Sequence, residues 1–185
     1  MYSFRVTLSL TLLTLLGITV GAEEPVVNIP DGPIVSGYSQ SGTEHFLGIP
    51  FGQDTSGPNR FGPPKPVVVV PGSKINGSVP GPACPQSFDP HSFLPNLNSN
   101  VTLQSEDCLN LRITRPANTT NNAGLPVIVF LYGGGFTNGQ IYDKFYNPEG
   151  LVVQSVKNGL PVIYVAVNYR LSSNFSTQRY VELFR

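Results

Sequence analysis

The stretch PVIVFLYGGGFTNG, residues 126–139, places three consecutive glycines directly after a continuous run of apolar residues. A run of this kind is typical of a strand that is buried on both faces. A second apolar run, residues 162–167, follows a segment with a proline start, a glycine stop and apolar residues near helical spacing. The two runs therefore predict a βαβ unit, a parallel sheet covered on both faces, and an α/β fold.

Shorter strands are predicted on the N-terminal side of this unit. The segments PVVNI, PIVSGYS and HFLGIPF are separated by Asp-Gly and Ser-Gly turns. From Leu109 to Arg115 apolar and polar residues alternate, which predicts a strand with one buried face. Residues 52–100 are proline-rich and irregular, and the chain has neither internal repeats nor low-complexity segments.

Composition limits the class of protein. The 185 residues suffice for one domain, and 40% of them are hydrophobic and grouped in runs, which excludes a disordered chain. Charged residues make up 12%, the net charge is zero, and there is no basic run. The sequence therefore predicts no nucleic-acid partner.

The first 22 residues have the layout of a secretory signal peptide. Arg5 precedes an apolar stretch from Val6 to Val20, and small residues lead to an exit at Ala22. A membrane anchor is the alternative, but the stretch has only about 15 residues and contains serine and threonine. We expect cleavage after Ala22, secretion, and no stable membrane anchor.

Secretion changes how the cysteines and asparagines are interpreted. Cys84 and Cys108, the only cysteines, are predicted to form a disulfide on the oxidising export route, with two free buried thiols as the alternative. Four Asn-x-Ser/Thr sequons are candidates for N-glycosylation: Asn76, Asn100, Asn118 and Asn174.

The three glycines at residues 133–135 allow several interpretations. Glycine permits positive φ angles and brings backbone N–H groups close to a ligand, so consecutive donors can bind an anion or a developing oxyanion. A purely structural turn is the alternative. A phosphate-binding loop is excluded, because the spacing is not G-x-G-x-x-G and no Gly-Lys-Ser/Thr follows.

Six segments carry a resemblance to a known family. They occur in order along the chain: FLGIPFG (46–52), RFGPP (60–64), ACPQ (83–86), SEDCLNLRI (105–113), YGGGF (132–136) and VNYRLSS (167–173). Over about residues 33–173 the chain resembles the type-B carboxylesterase/lipase family. The resemblance implies the N-terminal portion of an α/β-hydrolase fold, with a mixed, mostly parallel sheet and small N-terminal antiparallel strands. It makes residues 23–173 part of that domain and residues 174–185 a divergent tail.

The resemblance also implies roles for particular residues. Gly134 and Gly135 would donate their N–H groups to the tetrahedral oxyanion, while Gly133 and Phe136 shape the loop. Cys84 and Cys108 would form the family's first disulfide.

Two acidic residues next to Cys108 would be structural. By the same resemblance, Glu106 and Asp107 are expected to form ion pairs with Arg60 and Arg170 rather than to act in catalysis.

The catalytic triad is absent from this sequence. There is no G-x-S-x-G motif, and GYSQSG (37–42) has Ser41 where the motif needs its second glycine. The only histidines, His45 and His91, lie in the N-terminal half, although the triad histidine follows the serine in this fold. We expect neither to be catalytic.

The sequence thus predicts the N-terminal fragment of a secreted carboxylic ester hydrolase, ending before the nucleophile elbow. Two alternatives stay open: a non-catalytic cholinesterase-like binding or adhesion protein, and an inactive truncated gene product. The full-length enzyme would act on small-molecule or lipid esters without a cofactor or metal. This chain alone is expected to be inactive, with the strand at residues 162–167 at or near an open apolar edge.

Overall fold

The computed structural model describes residues 24–86 and 103–171. Over these ranges the chain forms one α-helix, α1 (Glu149–Lys157), and eight strands: β1 (Val26–Asn28), β2 (Ile34–Ser36), β3 (Tyr38–Gln40), β4 (Thr43–Pro50), β5 (Lys74–Asn76), β6 (Asn110–Pro116), β7 (Val127–Phe130) and β8 (Ile163–Val167). The expected signal peptide with its exit at Ala22, the tail at residues 174–185, His91, Asn100 and Asn174 lie outside the described residues.

Two mixed sheets organise the described residues. The larger has five strands in the order β3-β4-β6-β8-β7, and the smaller has three in the order β1-β2-β5. In the larger sheet β3, β4, β6 and β8 pair antiparallel, whereas β7 and β8 pair parallel. Helix α1 connects the two parallel strands, so the predicted βαβ unit is confirmed. The architecture is that of a partial α/β-hydrolase fold.

Helix α1 ends where glycine permits a left-handed turn. Gly159 has a φ of 71°. Its N–H donates to the Val156 carbonyl, and the N–H of Leu160 donates to the Ser155 carbonyl. This pair of bonds is the Schellman arrangement, which satisfies the last carbonyls of a helix. The chain can therefore turn back within a few residues to enter β8.

Burial alternates along β6 as predicted, but the more buried face is the polar one. Asn110, Arg112 and Thr114 are at most 8% exposed, while the apolar side chains between them are half-buried. Each buried polar side chain has a partner: Asn110 donates to the Pro82 carbonyl, Arg112 donates to Asn147, and Thr114 bonds to His45. Hydrogen bonding makes their burial possible.

One open edge of the larger sheet is β7, and residues 162–167 lie next to it, in agreement with the expectation that they lie at or near an open apolar edge. Strand β8 lies between β6 and β7, with a neighbour on each side. On β7, Val127, Ile128 and Val129 are 54%, 40% and 62% exposed. The described residues thus do not cover this strand on either face, contrary to the expectation from its apolar run.

The core lies where the βαβ unit meets the start of β6. Its buried members are Cys84, Cys108, Tyr132, Ile141, Val152, Tyr164, Ala166 and Leu171. Val152 is the residue that α1 buries completely against the sheet. The core thus joins the end of β7, and the glycines that follow it, to the two cysteines.

Candidate active site

The glycine triplet forms an irregular loop immediately after β7. Gly134, Gly135 and Phe136 have φ angles of 130°, 62° and 61°. Such positive values are accessible to glycine without steric cost, so Gly134 and Gly135 match the backbone that the loop requires, whereas Phe136 adopts the left-handed region with a side chain.

Close backbone packing explains why residue 134 has no side chain. A Cβ atom on Gly134 would overlap the carbonyl oxygen of Asn138. The carbonyl of Gly134 in turn accepts hydrogen bonds from the N–H groups of Thr137 and Asn138, at 3.1 and 3.3 Å. Residues 134 and 138 therefore form the two sides of a tight turn.

The N–H groups of Gly134 and Gly135 make no hydrogen bond within the parts of the chain that the structure describes. Gly135 is exposed and Gly134 is half-exposed. Two adjacent backbone donors in a glycine turn form a site suited to an anion or an oxyanion.

Two tyrosines hold the start of the loop. The hydroxyl of Tyr132 donates to the Tyr169 carbonyl at 3.1 Å, and the hydroxyl of Tyr169 donates to the Tyr132 carbonyl at 2.5 Å. Their rings stack with centroids 4.3 Å apart. Burial raises the pKa of both hydroxyls, so they remain protonated donors at neutral pH.

Gln86 contacts the other end of the loop. Its Oε1 accepts a hydrogen bond from the Gly139 N–H at 2.9 Å, and its Nε2 donates to the Gly139 carbonyl at 3.0 Å. Sequence reasoning assigned no role to Gln86 or Tyr169. Both lie in segments that carry the family resemblance, ACPQ and VNYRLSS, and that position was the only signal available.

Cys84 and Cys108 are joined by a disulfide in the core. The bond connects Cys108, two residues before β6, to the segment that carries Gln86. It therefore links the part of the chain around Cys108 to the support of the glycine loop.

The four residues expected to form ion pairs are only partly brought together. Arg60 and Glu106 form a salt bridge at 2.6 Å, whose hydrogen bond raises the pKa of Arg60. The Arg60 side chain is 51% exposed, so this pair lies at the surface.

Asp107 and Arg170 form no ion pair within the described residues, and that expectation is wrong. Arg170 donates to the carbonyl of Gly62 at 2.9 Å instead. Partial burial and then the charge of Asp54 raise the pKa of Asp107. The Gly62 carbonyl oxygen thus accepts the Arg170 hydrogen bond that a carboxylate was expected to accept.

His45 lies on β4, away from the glycine loop, and is 1% exposed. Both ring nitrogens contact threonine hydroxyls: Nε2 lies 2.7 Å from Thr43 Oγ1, and Nδ1 lies 3.2 Å from Thr114 Oγ1. The ring of Tyr38 stacks on the imidazole with centroids 4.7 Å apart. Its surroundings are those of a packed interior residue.

The described candidates for glycosylation, Asn76 and Asn118, are both exposed. Asn118 lies in a turn after β6 with a φ of 61°. No helix in the described ranges is long and apolar enough to cross a membrane. Over the same ranges, histidine, cysteine, aspartate and glutamate form no group of three or more that could hold a metal ion.

Comparison with known proteins identifies the family to which these features belong. The model of the carboxylesterase family matches residues 23–174, which is most of the chain. The chain belongs to the carboxylesterase family. Its described part superimposes on a solved thermophilic PNB esterase with a TM-score of 0.67 and 32% identity, covering 80% of this chain and 28% of that one.

Curated members of the family include enzymes and a protein named inactive. The chain is 54% identical over 141 residues to the inactive carboxylesterase-like protein VdtD of Byssochlamys spectabilis, covering 74% of this chain and 23% of VdtD. It is 44% identical over 162 residues to a secreted lipase of Arthroderma benhamiae, covering 88% of this chain and 28% of the lipase. The chain thus spans about a quarter of the length of these two relatives.

Proposed function

We propose that this chain is the N-terminal part of a secreted carboxylic ester hydrolase and supplies its oxyanion hole. The observation that carries the proposal is the pair of adjacent N–H groups on Gly134 and Gly135, which belong to a half-exposed and an exposed residue and have no acceptor in the described residues. Membership of the carboxylesterase family supports it, as do relatives named lipases.

The chemistry assigned to this chain is electrostatic. When a serine oxygen attacks an ester carbonyl, the carbonyl oxygen becomes negatively charged, and two fixed N–H donors stabilise that charge. The loop is held by Tyr132 and Tyr169 before the charge forms, so little reorganisation is needed during the reaction. The serine, acid and histidine of the triad are proposed to lie in the part of the protein that this chain does not include.

Small-molecule or lipid esters are the proposed substrates, and the extracellular space is the proposed location. Relatives named secreted lipases support both points. We propose cleavage after Ala22, glycans on the exposed Asn76 and Asn118, and no requirement for a cofactor. N-terminal sequencing of secreted protein should begin at Glu23.

A second candidate is a non-catalytic member of the same family. Identity of 54% to a protein named inactive carboxylesterase-like favours it. The two candidates differ in one property: the enzyme requires Gly134 and Gly135 as donors, and a non-catalytic relative does not.

The experiment extends the chain beyond residue 171 with the remaining part of the Arthroderma benhamiae lipase. We expect this protein to hydrolyse p-nitrophenyl esters and to be inhibited by a serine-directed phosphonate. Gly134→Ala should lower kcat by about 10²–10³, because the new Cβ overlaps Asn138 and displaces the donors. Gly150→Ala is the matched control, since a Cβ there meets no atom within 4 Å.

Two results would contradict this proposal. One is an active extended protein in which Gly134→Ala retains the parental kcat, because the loop would then not be the oxyanion hole. The other is an extended protein that folds and binds ester analogues without turnover, which would favour the non-catalytic relative. The 185-residue chain by itself is proposed to hydrolyse no ester above background.

A further inference from the structure

We propose that Gln86 is a positioning residue that holds the glycine loop by the backbone of Gly139 and so fixes the direction of the Gly134 and Gly135 N–H groups. The catalytic meaning of this inference rests on the proposed function. The hydrogen bonds themselves do not, because they are a property of the fold.

The contact resembles one rung of a β-ladder in which a side-chain amide replaces a strand. Gln86 accepts from the Gly139 N–H at 2.9 Å and donates to the Gly139 carbonyl at 3.0 Å. One planar amide therefore satisfies both main-chain groups of a buried glycine. Its Nε2 also donates to the Cys84 carbonyl at 3.1 Å, which fixes the plane of the amide.

The position of Gly139 is transmitted to the donors by direct packing. Gly139 has a φ of 124°, and a Cβ atom there would overlap the Tyr132 ring and lie 2.8 Å from the Gly133 carbonyl oxygen. The preceding residue, Asn138, packs against Gly134 in the same way. The backbone of residues 138–139 thus packs directly against that of residues 133–134. We therefore expect a shift of Gly139 to move the N–H groups of Gly134 and Gly135.

Gln86 is itself held by a rigid support. Its backbone N–H donates to Gln104 Oε1 at 2.9 Å. Ala83 exchanges backbone hydrogen bonds with residues 103 and 105, each at 3.0 Å. The disulfide of Cys84 with Cys108 anchors the same segment to the core. A side chain fixed in this way before substrate binds adds to preorganisation of the loop.

The first test uses the full 185-residue chain and measures amide hydrogen exchange at residue resolution. Gln86→Met keeps the length of the side chain and removes both hydrogen bonds to Gly139. We expect the exchange rates of the Gly139 and Asn138 N–H groups to rise about tenfold or more, because each hydrogen bond is released or loosened. Amides of β8 should keep their parental rates, which shows that the sheet is intact.

Gln53→Met is the matched control. Gln53 also donates from its side-chain amide to a backbone carbonyl, that of Pro66 at 3.0 Å, but outside the glycine loop. It should leave exchange in the loop unchanged. Unchanged exchange at Gly139 or Asn138 in Gln86→Met would overturn the inference, because Gln86 would then not hold the loop.

The second test measures kinetics in the chain extended with the lipase remainder. Gln86→Met should lower kcat about tenfold or more with KM within about twofold, since a misdirected oxyanion donor affects the transition state more than the bound ester. Gln53→Met should leave kcat and KM at the parental values. An unchanged kcat together with a loosened loop overturns the positioning role. If the extended chain shows no turnover at all, the proposed function fails, and hydrogen exchange alone decides whether Gln86 holds the loop.

Discussion

At the scale of single residues, the hydrogen bonds of His45 select the tautomer of its neutral ring. The hydroxyl of Thr43 donates its only proton to the Gln40 carbonyl at 2.8 Å, so it can only accept from His45 Nε2. Nε2 therefore carries the proton of the neutral ring, and Nδ1 accepts from the Thr114 hydroxyl. A protonated ring would instead have to donate from Nδ1 to the Thr114 oxygen.

We predict that His45 makes stability depend on pH. Burial, followed by the nearby charge of Arg112, lowers the pKa of His45, while Glu149 opposes the shift more weakly. The unfolded chain, with a histidine pKa of about 6.5, then binds more protons than the folded chain below that pH. Stability is complete above about pH 6.5 and falls as pH drops toward the folded pKa, by at most about 1.4 kcal/mol per pH unit.

Urea unfolding between pH 5 and pH 8 measures this effect. His45→Gln should be less stable at pH 8 and should show a shallower dependence on pH, because the titrating group is gone. Parallel curves for the parent and the variant over this range would mean that His45 is not the responsible group.

A second residue-scale prediction compares two ion pairs. Arg115 and Glu44 form a salt bridge at 2.7 Å with side chains 15% and 9% exposed, and Glu44 also accepts from the Asn118 N–H. Glu44→Gln should lower the unfolding free energy by about 1.5–3 kcal/mol, the usual value for hydrogen bonds to a charged group.

Glu106→Gln should have a smaller effect, because its partner Arg60 lies largely in solvent. Urea unfolding of both variants side by side measures the difference. A larger loss for Glu106→Gln than for Glu44→Gln would contradict this ranking of the two ion pairs.

At the scale of secondary-structure elements, the disulfide ties the start of β6 to the segment that supports the glycine loop. Cys84 and Cys108 are 24 residues apart. Closing a loop of this length stabilises the folded chain by about 3–4 kcal/mol in the chain-entropy model.

We predict that the double variant Cys84→Ser, Cys108→Ser loses stability of that size and shows faster exchange at Gly139. The parental chain, isolated without reductant, should give one crosslinked peptide pair and no alkylated cysteine. Two alkylated thiols in the native protein would contradict the disulfide.

At the scale of the whole molecule, β7 gives the described sheet an exposed apolar edge. Val127 and Val129 are more than half exposed on a strand that has a neighbour on one side only. Exposed apolar edges pair with other chains, so we expect the 185-residue protein to self-associate as its concentration rises.

Val129→Lys should shift sedimentation toward the monomer, because pairing of another chain with β7 would bury the lysine charge. The control is Val68→Lys, at a valine that is 70% exposed but lies outside both sheets. Equal suppression by both substitutions would show that general surface charge, rather than β7, controls association.

Local patterns in the sequence were sufficient for the elements and for the position of the glycine loop. Apolar runs at residues 127–130 and 162–167, separated by a helix that is followed by Gly159, determined the βαβ unit. The run of glycines predicted a backbone with positive φ angles, which Gly134 and Gly135 adopt. These properties follow from side-chain period and backbone sterics, which act over a few residues.

Only the tertiary structure decided which surfaces are covered and which residues meet. It buries the polar face of β6, places β7 at an open edge with β8 beside it, and leaves Arg60 at the surface. It also brings Gln86 to Gly139, 53 residues away in the chain. The period of a sequence shows that a strand has two different faces. The segments that cover those faces come from distant parts of the chain, and which segment covers which face depends on how the whole chain packs.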